Sequence, residues 1–173
     1  SVTHYTPVYP HGLRHPTKDE PTAALSTGAQ DNAGKMLLHD ALWSNDTNEG
    51  IQNAKEIVEY NKHVKLNAVV LINVEATDAI IKAAGPLNIN GTPTVVNGLD
   101  FVREEQSSDG ATRGQAVITV VQGLIDAAHN PATRNTMMKM AIIQYNRGNI
   151  VVWPEGAFMQ LLYTKGLHSI VNN

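Results

Sequence analysis

Amphipathic helical segments alternate with short β-branched runs along this chain, and that alternation limits the folds open to it. Residues 116–128 carry apolar side chains at the three- and four-residue spacing of one helix face, as do residues 77–84. Residues 66–74 and 150–153 are apolar but too short for helices, which is typical of buried strands. Helices that alternate with strands in this way predict an α/β fold.

The remaining elements are shorter or less regular. We expect a short buried helix near residues 36–43, further helices at residues 51–62, 133–145 and 157–163, and a hairpin of residues 87–89 and 94–96 around Asn90-Gly91.

The first 31 residues differ from the rest of the chain. Four prolines and two glycines interrupt every helical or strand pattern there. We therefore expect a long surface loop over residues 1–31 and an ordered α/β core over residues 32–173. Because about 100–200 residues form one domain, the 173 residues are expected to be a single domain.

Composition excludes several classes of function. With 13 basic and 16 acidic residues the net charge is −3, which lacks the basic excess of nucleic-acid binders. There is no Cys, so disulfides, zinc–thiolate sites and cysteine nucleophiles are excluded. The longest apolar run, residues 68–72, is far shorter than the roughly 20 residues that cross a bilayer. Residues 1–12 lack the pattern of a signal peptide, and the histidines lack the spacing of a helical metal site.

The densest polar stretch of the chain, residues 101–115, leads into the apolar helix at residues 116–128. Arg103 and Arg113 stand on either side of a loop with glycine, and two guanidinium groups can hold one anion in bidentate geometry. The start of the following helix adds free N–H groups, and Asp109 offers a hard oxygen ligand to a divalent cation. A solvated loop held by salt bridges fits the same spacing, so both interpretations stay open.

Residues 35–128 resemble the LytR-CpsA-Psr family of bacterial cell-envelope glycopolymer transferases. Three segments carry the likeness: KMLLHDALWSNDTNEGIQNAKEIVE, HVKLNAVVLINVEATDAIIKAAGPLNIN and VVNGLDFVREEQSSDGATRGQAVITVVQGLI. The third is the most specific, because it follows the family's order of an arginine-bearing helix, a loop aspartate, an arginine and a glutamine before an apolar helix. Residues 1–6 fall where the family has a Ser-Ile-Pro-Arg-Asp-Thr motif.

The resemblance implies a three-layer α/β/α domain in which helices flank a central mixed sheet that holds a polyprenyl-phosphate lipid. Such proteins stand outside the cell on a membrane anchor and transfer a glycopolymer from a polyprenyl pyrophosphate to peptidoglycan with Mg²⁺. By position, Arg103, Arg113 and Asp109 would be catalytic, with Asp109 as magnesium ligand; His4 and Gln115 would join the two arginines in binding substrate. Membrane contact would come only through the lipid substrate or an anchor outside this chain, and no nucleic-acid partner is expected.

The sequence departs from that family at three positions. Glu105 stands where the second arginine of the signature helix is expected, and His4 and Tyr5 stand where the family has Arg and a metal-binding Asp. Magnesium prefers carboxylate and water oxygens, so Tyr5 does not replace that aspartate. The alternatives to a transferase are a non-catalytic lipid- or glycan-binding domain of the same fold and, less favoured, a transcriptional regulator.

Overall fold

The computed structural model describes residues 8, 10, 12–21, 34–98, 100–101 and 113–164. These residues form two compact units, which we call the amino-terminal unit (Val8–Val69) and the carboxy-terminal unit (from Val70 onward). The expectation of a single domain over residues 1–173 stays a prediction.

The amino-terminal unit is built from a β-ribbon and one long helix. Strands β1 (Arg14–Asp19) and β2 (Lys35–Leu37) pair antiparallel and lead into a 3₁₀ helix, Leu38–Trp43, and then helix α1, Thr47–Lys62. Its core cluster is Met36, Ala41 and Ile57. The prediction of a loop over residues 1–31 is therefore wrong for residues 14–19, which form β1. The segment predicted as a helix near residues 36–43 begins in strand β2 and becomes helical at Leu38.

Helix α1 begins and ends at residues suited to those positions. The Asp46 carboxylate accepts hydrogen bonds from the backbone N–H groups of Asn48 and Glu49, which would otherwise lack partners at the helix start. At the other end His63 is in the left-handed conformation, with φ 53°. Between them Ile51 and Ile57 are fully buried, so the apolar face of α1 fixes this unit's core.

A buried histidine joins β1 to α1. The His15 ring is 3% exposed, and its Nδ1 accepts hydrogen bonds from the backbone N–H groups of Thr17 (3.1 Å) and Lys18 (2.7 Å). The ring proton must therefore sit on Nε2, which donates to the Glu56 carboxylate at 2.7 Å. His15 is a structural residue here rather than a metal ligand.

The carboxy-terminal unit alternates helices with short strands. In chain order it contains β3 (Val69–Ile72, except for its first residue), α2 (Val74–Ala84), β4 (Leu87–Ile89), β5 (Thr92–Thr94), α3 (Arg113–His129), α4 (Pro131–Asn146), β6 (Ile150–Trp153) and α5 (Glu155–Thr164). Two apolar clusters lie in this unit, one around Leu87 and one around Ile150.

The α/β class predicted from the sequence is confirmed, but the strands do not form the expected central mixed sheet. Within the described residues they form three separate two-stranded sheets, β1–β2, β3–β6 and β4–β5. The face of β3 that carries Val70 and Ile72 is half exposed, so this strand is not buried on both sides as its composition indicated. No helix among those described has the length and apolar character to span a bilayer.

Candidate functional site

An open groove of about 360 Å³ runs along helix α3 beside the β4–β5 hairpin. Four residues of α3 and three of the hairpin supply most of its lining: Gln115, Thr119, Gln122, Asp126, Asn88, Asn90 and Gly91. We call this the α3 groove. Nearly all of these side chains are polar, and none of the lining residues is Lys or Arg.

The hairpin presents its asparagines because of its turn. Ile89 pairs with Thr92, so Asn90 and Gly91 form a two-residue loop with φ values of 50° and 85°. Two successive positive φ angles are typical of a type I′ turn, which Asn-Gly favours. The returning strand is Thr92–Thr94 rather than the predicted 94–96, because the turn is two residues shorter than its sequence spacing indicated.

Helix α3 approaches β4 closely at Gly123, the residue that follows Gln122 of the groove lining. At Gly123 an added Cβ would lie 3.1 Å from the Leu87 Cβ, tighter than most such contacts. A glycine here lets the helix backbone approach the strand. The polar face of α3 therefore stands directly beside the hairpin.

The chemistry of the groove is that of neutral hydrogen bonding. Side-chain amides offer donors and acceptors together. The one carboxylate, Asp126, accepts a hydrogen bond from Gln122 Nε2 at 3.3 Å, and the Thr119 hydroxyl donates to the Gln115 carbonyl at 3.0 Å. Such a surface suits a neutral ligand with many hydroxyl groups better than an anion.

A more apolar cleft of about 480 Å³ lies near the end of α2 and includes Pro86, Val95 and Val96. At its edge Gly98 has φ 59°, and an added Cβ there would collide with the Asp78 carboxylate. Glycine at position 98 permits this close approach, because any side chain there would meet Asp78.

Of the five site residues predicted from the sequence, the structure places one in the α3 groove. Gln115 lies in the first turn of α3 and lines the groove. Arg113 is the first residue of α3, described by its backbone alone. His4, Arg103 and Asp109 lie outside the described residues, so whether the arginines converge stays a prediction.

The magnesium prediction depends on Asp109 and is likewise not addressed by the described residues. Among the residues that the structure places, no three His, Asp or Glu side chains are grouped to hold a metal ion. We therefore derive no chemical step through a metal.

Sequence reasoning missed most of the α3 groove, although part of its signal was present. Gln115, Thr119, Gln122 and Asp126 follow one another at spacings of four, three and four, which is one face of a helix. The apolar residues on the opposite face of the same segment dominate its pattern. Nothing in the sequence indicated that the hairpin would stand opposite it.

Comparison with known proteins places the chain in a family. Its sequence matches the family described as proteins of unknown function, DUF4012, over residues 2–108. No curated protein and no solved structure matches it. The match covers more than half of the 173 residues, from the amino-terminal unit through the β4–β5 hairpin. The chain therefore belongs to the DUF4012 family.

Proposed function

We propose that this chain binds a polyprenyl-diphosphate-linked glycan outside the cell and transfers the glycan to peptidoglycan in wall assembly, as LytR-CpsA-Psr proteins do. The observation that carries the proposal is the α3 groove, a polar groove whose lining begins at Gln115, two residues after Arg113 at the start of α3. Magnesium on Asp109 belongs to the same proposal.

The lining of the groove fits a sugar. Each sugar hydroxyl donates and accepts hydrogen bonds, and the amides of Asn88, Asn90, Gln115 and Gln122 do the same. Ile118 adds an apolar contact for the faces of sugar rings. A few convergent polar groups of this kind orient a ligand in a binding site.

The diphosphate would lie at the amino-terminal end of the groove. Helix α3 begins at Arg113, and the first N–H groups of a helix lack partners within it and attract anions. From Asp126 to Gln115 the groove follows about 16 Å of helix. A glycan bound along the groove would extend toward the start of α3. Arg113 is the first residue of that helix, and Arg103 precedes it by ten residues in the sequence.

The lipid would begin in the apolar cleft at the end of α2. Val95 is 71% exposed there, and an isoprene unit covering it would remove apolar surface from water. Val95 lies eight residues before Arg103 in the sequence.

Loss of one groove amide should weaken glycan binding. We expect Gln115→Ala and Gln122→Ala each to weaken binding of an N-acetylglucosamine oligosaccharide by about 2- to 10-fold, since a typical hydrogen bond contributes about 0.5–1.5 kcal/mol. Isothermal titration calorimetry measures this. Gln160→Ala, at an exposed Gln on α5, is the matched control and should leave affinity unchanged. Unaltered affinity in both groove variants would remove the α3 groove from the proposal.

Loss of either arginine should weaken diphosphate binding. We expect Arg103→Ala and Arg113→Ala each to reduce affinity for farnesyl diphosphate by about 10-fold or more, because each removes charge-assisted hydrogen bonds. Lysine at either position should restore affinity only in part, because it lacks the planar fork of arginine. Arg134→Ala, on the exposed side of α4, is the control. Equal affinity in all variants with unchanged circular dichroism contradicts this part of the proposal.

Binding without transfer is the second candidate function. It is favoured because the α3 groove contains a single carboxylate and the described residues gather no metal site. An assay with a lipid-linked glycan, peptidoglycan fragments and Mg²⁺ separates the two. Turnover that is lost in Asp109→Asn supports transfer, whereas binding with no turnover supports the second function.

A further inference from the structure

A second pocket lies in the amino-terminal unit, and we propose that it binds a primary ammonium group carried on an alkyl chain, such as a lysine side chain. The pocket has a volume of about 380 Å³, within the range of small-ligand sites. Residues of β1, the 3₁₀ helix and α1 line it, and we call it the acidic pocket. Its ligand is independent of the glycan proposed for the α3 groove.

The lining of the acidic pocket has an excess of negative charge. The lining contains three carboxylates, Asp19, Asp40 and Glu49, and one cationic side chain, Lys18. Two of the three carboxylates are already engaged. Glu49 accepts from Lys18 Nζ at 2.9 Å and from the Ser44 hydroxyl at 2.8 Å, while Asp19 accepts from the ammonium of Lys35, outside the lining, at 2.6 Å.

Asp40 is the carboxylate that lacks such a partner. It is only 7% exposed, and its Oδ2 accepts no hydrogen bond from any described residue. The half-exposed His39 ring brings Nε2 to 3.1 Å from that oxygen, but without the geometry of a hydrogen bond. A buried carboxylate oxygen without a donor is costly, and Asp40 is one of the residues that line this open pocket.

Glu20, which lies beside Asp40, also has a carboxylate oxygen without a hydrogen-bond donor among the described residues. Glu20 is also 7% exposed; its Oε1 accepts from the Leu37 N–H at 3.0 Å, but its Oε2 has no partner. Once pH exceeds the raised pKa of Glu20, both groups are carboxylates with only acceptors between them, so a cationic donor would then complete the site. An ammonium group supplies three N–H donors and one positive charge.

Apolar residues beside Asp40 fit the alkyl chain and favour ammonium over a metal ion. Met36 and Ala41 line the pocket, and the half-exposed Trp43 ring offers a face for a cation–π contact. A divalent cation would need more oxygen ligands, and the described residues gather no set of three metal-ligating side chains.

The test uses the full chain and two probes that differ in charge alone. Nα-acetyl-lysine methylamide carries a free ε-ammonium, and its Nε-acetyl derivative does not. Binding is followed by Trp43 fluorescence in a Trp153→Phe background, which leaves Trp43 as the one tryptophan. We expect saturable binding of the first probe, at least about 10-fold weaker binding of the second, and no displacement by Ca²⁺.

Variants separate Asp40 from its surroundings. Asp40→Asn keeps the shape, removes the charge and should weaken binding by about 10-fold or more, whereas Glu75→Gln, at an exposed carboxylate of α2 outside the pocket, should change it by less than about 2-fold. Equal binding of both probes, no saturable binding, displacement by Ca²⁺, or an unchanged affinity in Asp40→Asn would each overturn the proposal. If Asp40→Asn does not fold, the natural protein still tests the proposal, because equal binding of the charged and the acetylated probe would overturn it.

Discussion

Replacing Leu87 with Ala is expected to destabilise the carboxy-terminal unit by about 2–5 kcal/mol, the range for deletion of a buried leucine side chain. Leu87 is fully buried, in a cluster with Ile81, Phe101 and Val120. A core relaxes after such a deletion when its neighbours move into the space. Here α3 already meets β4 at Gly123, where no side chain separates them, so the helix has little room to close the cavity.

Chemical unfolding measures this loss in a Trp43→Phe background, in which Trp153 is the remaining tryptophan and reports on the carboxy-terminal unit. The matched control is Val95→Ala, because Val95 is 71% exposed and should change stability by no more than about 0.5 kcal/mol. A change below about 1 kcal/mol in Leu87→Ala would show that the packing of α3 against β4 is looser than the structure has it.

Helices were predictable from this sequence because their apolar residues repeat on one face. The helix predicted over residues 116–128 lies inside α3. The strand predicted over residues 150–153, a short apolar run, has the bounds of β6. The β-ribbon was not predictable in this way, because proline ordinarily interrupts a strand pattern. Pro16 lies in β1 and Pro93 in β5, and both are tolerated because every strand of a two-stranded sheet has a free edge where a missing N–H does no harm.

The candidate sites were less predictable than the helices, since they join residues that are distant in sequence. The glutamines of the α3 groove were visible as a helical face, but Asn88 and Asn90 become part of the site only when the hairpin packs on α3. Glu20 fell in a predicted surface loop and Asp40 in a predicted buried helix, and no local pattern indicated that the two carboxyl groups would be buried side by side. Tertiary packing decides such pairings.

That buried pair predicts an unusual dependence of stability on pH. Burial, and then the neighbouring Asp40 carboxylate, raise the pKa of Glu20 above its ordinary value, and the Leu37 N–H opposes them only in part. The folded state thus favours protonated Glu20 more than the unfolded chain does. Its contribution to stability is complete below the ordinary pKa of glutamate and is lost as pH rises through the raised pKa.

Glu20→Gln should remove this dependence and stabilise the amino-terminal unit at about pH 8 by about 1–3 kcal/mol, the cost of a buried group without a partner. Glutamine keeps the shape, still accepts from the Leu37 N–H and donates its amide to a carboxylate beside it. Unfolding followed by Trp43 in the Trp153→Phe background, from about pH 5 to about pH 8, gives the difference between Glu20→Gln and the natural residue.

The difference in unfolding free energy between Glu20→Gln and the natural protein, followed with pH, isolates the effect of Glu20. A hydrogen bond from Lys18 lowers the pKa of Glu49, and one from the Leu66 N–H lowers that of Glu59. Glu49 and Glu59 give the opposite trend, a loss of stability as pH falls. Their effects cancel in the difference, because Glu20→Gln and the natural protein both contain them.

Glu56→Gln, at a half-exposed carboxylate that accepts from His15, is the matched control and should not stabilise the unit at about pH 8. A difference between Glu20→Gln and the natural protein that stays constant with pH would mean that Glu20 does not titrate in the folded state over this range, and that its neighbours compensate its charge.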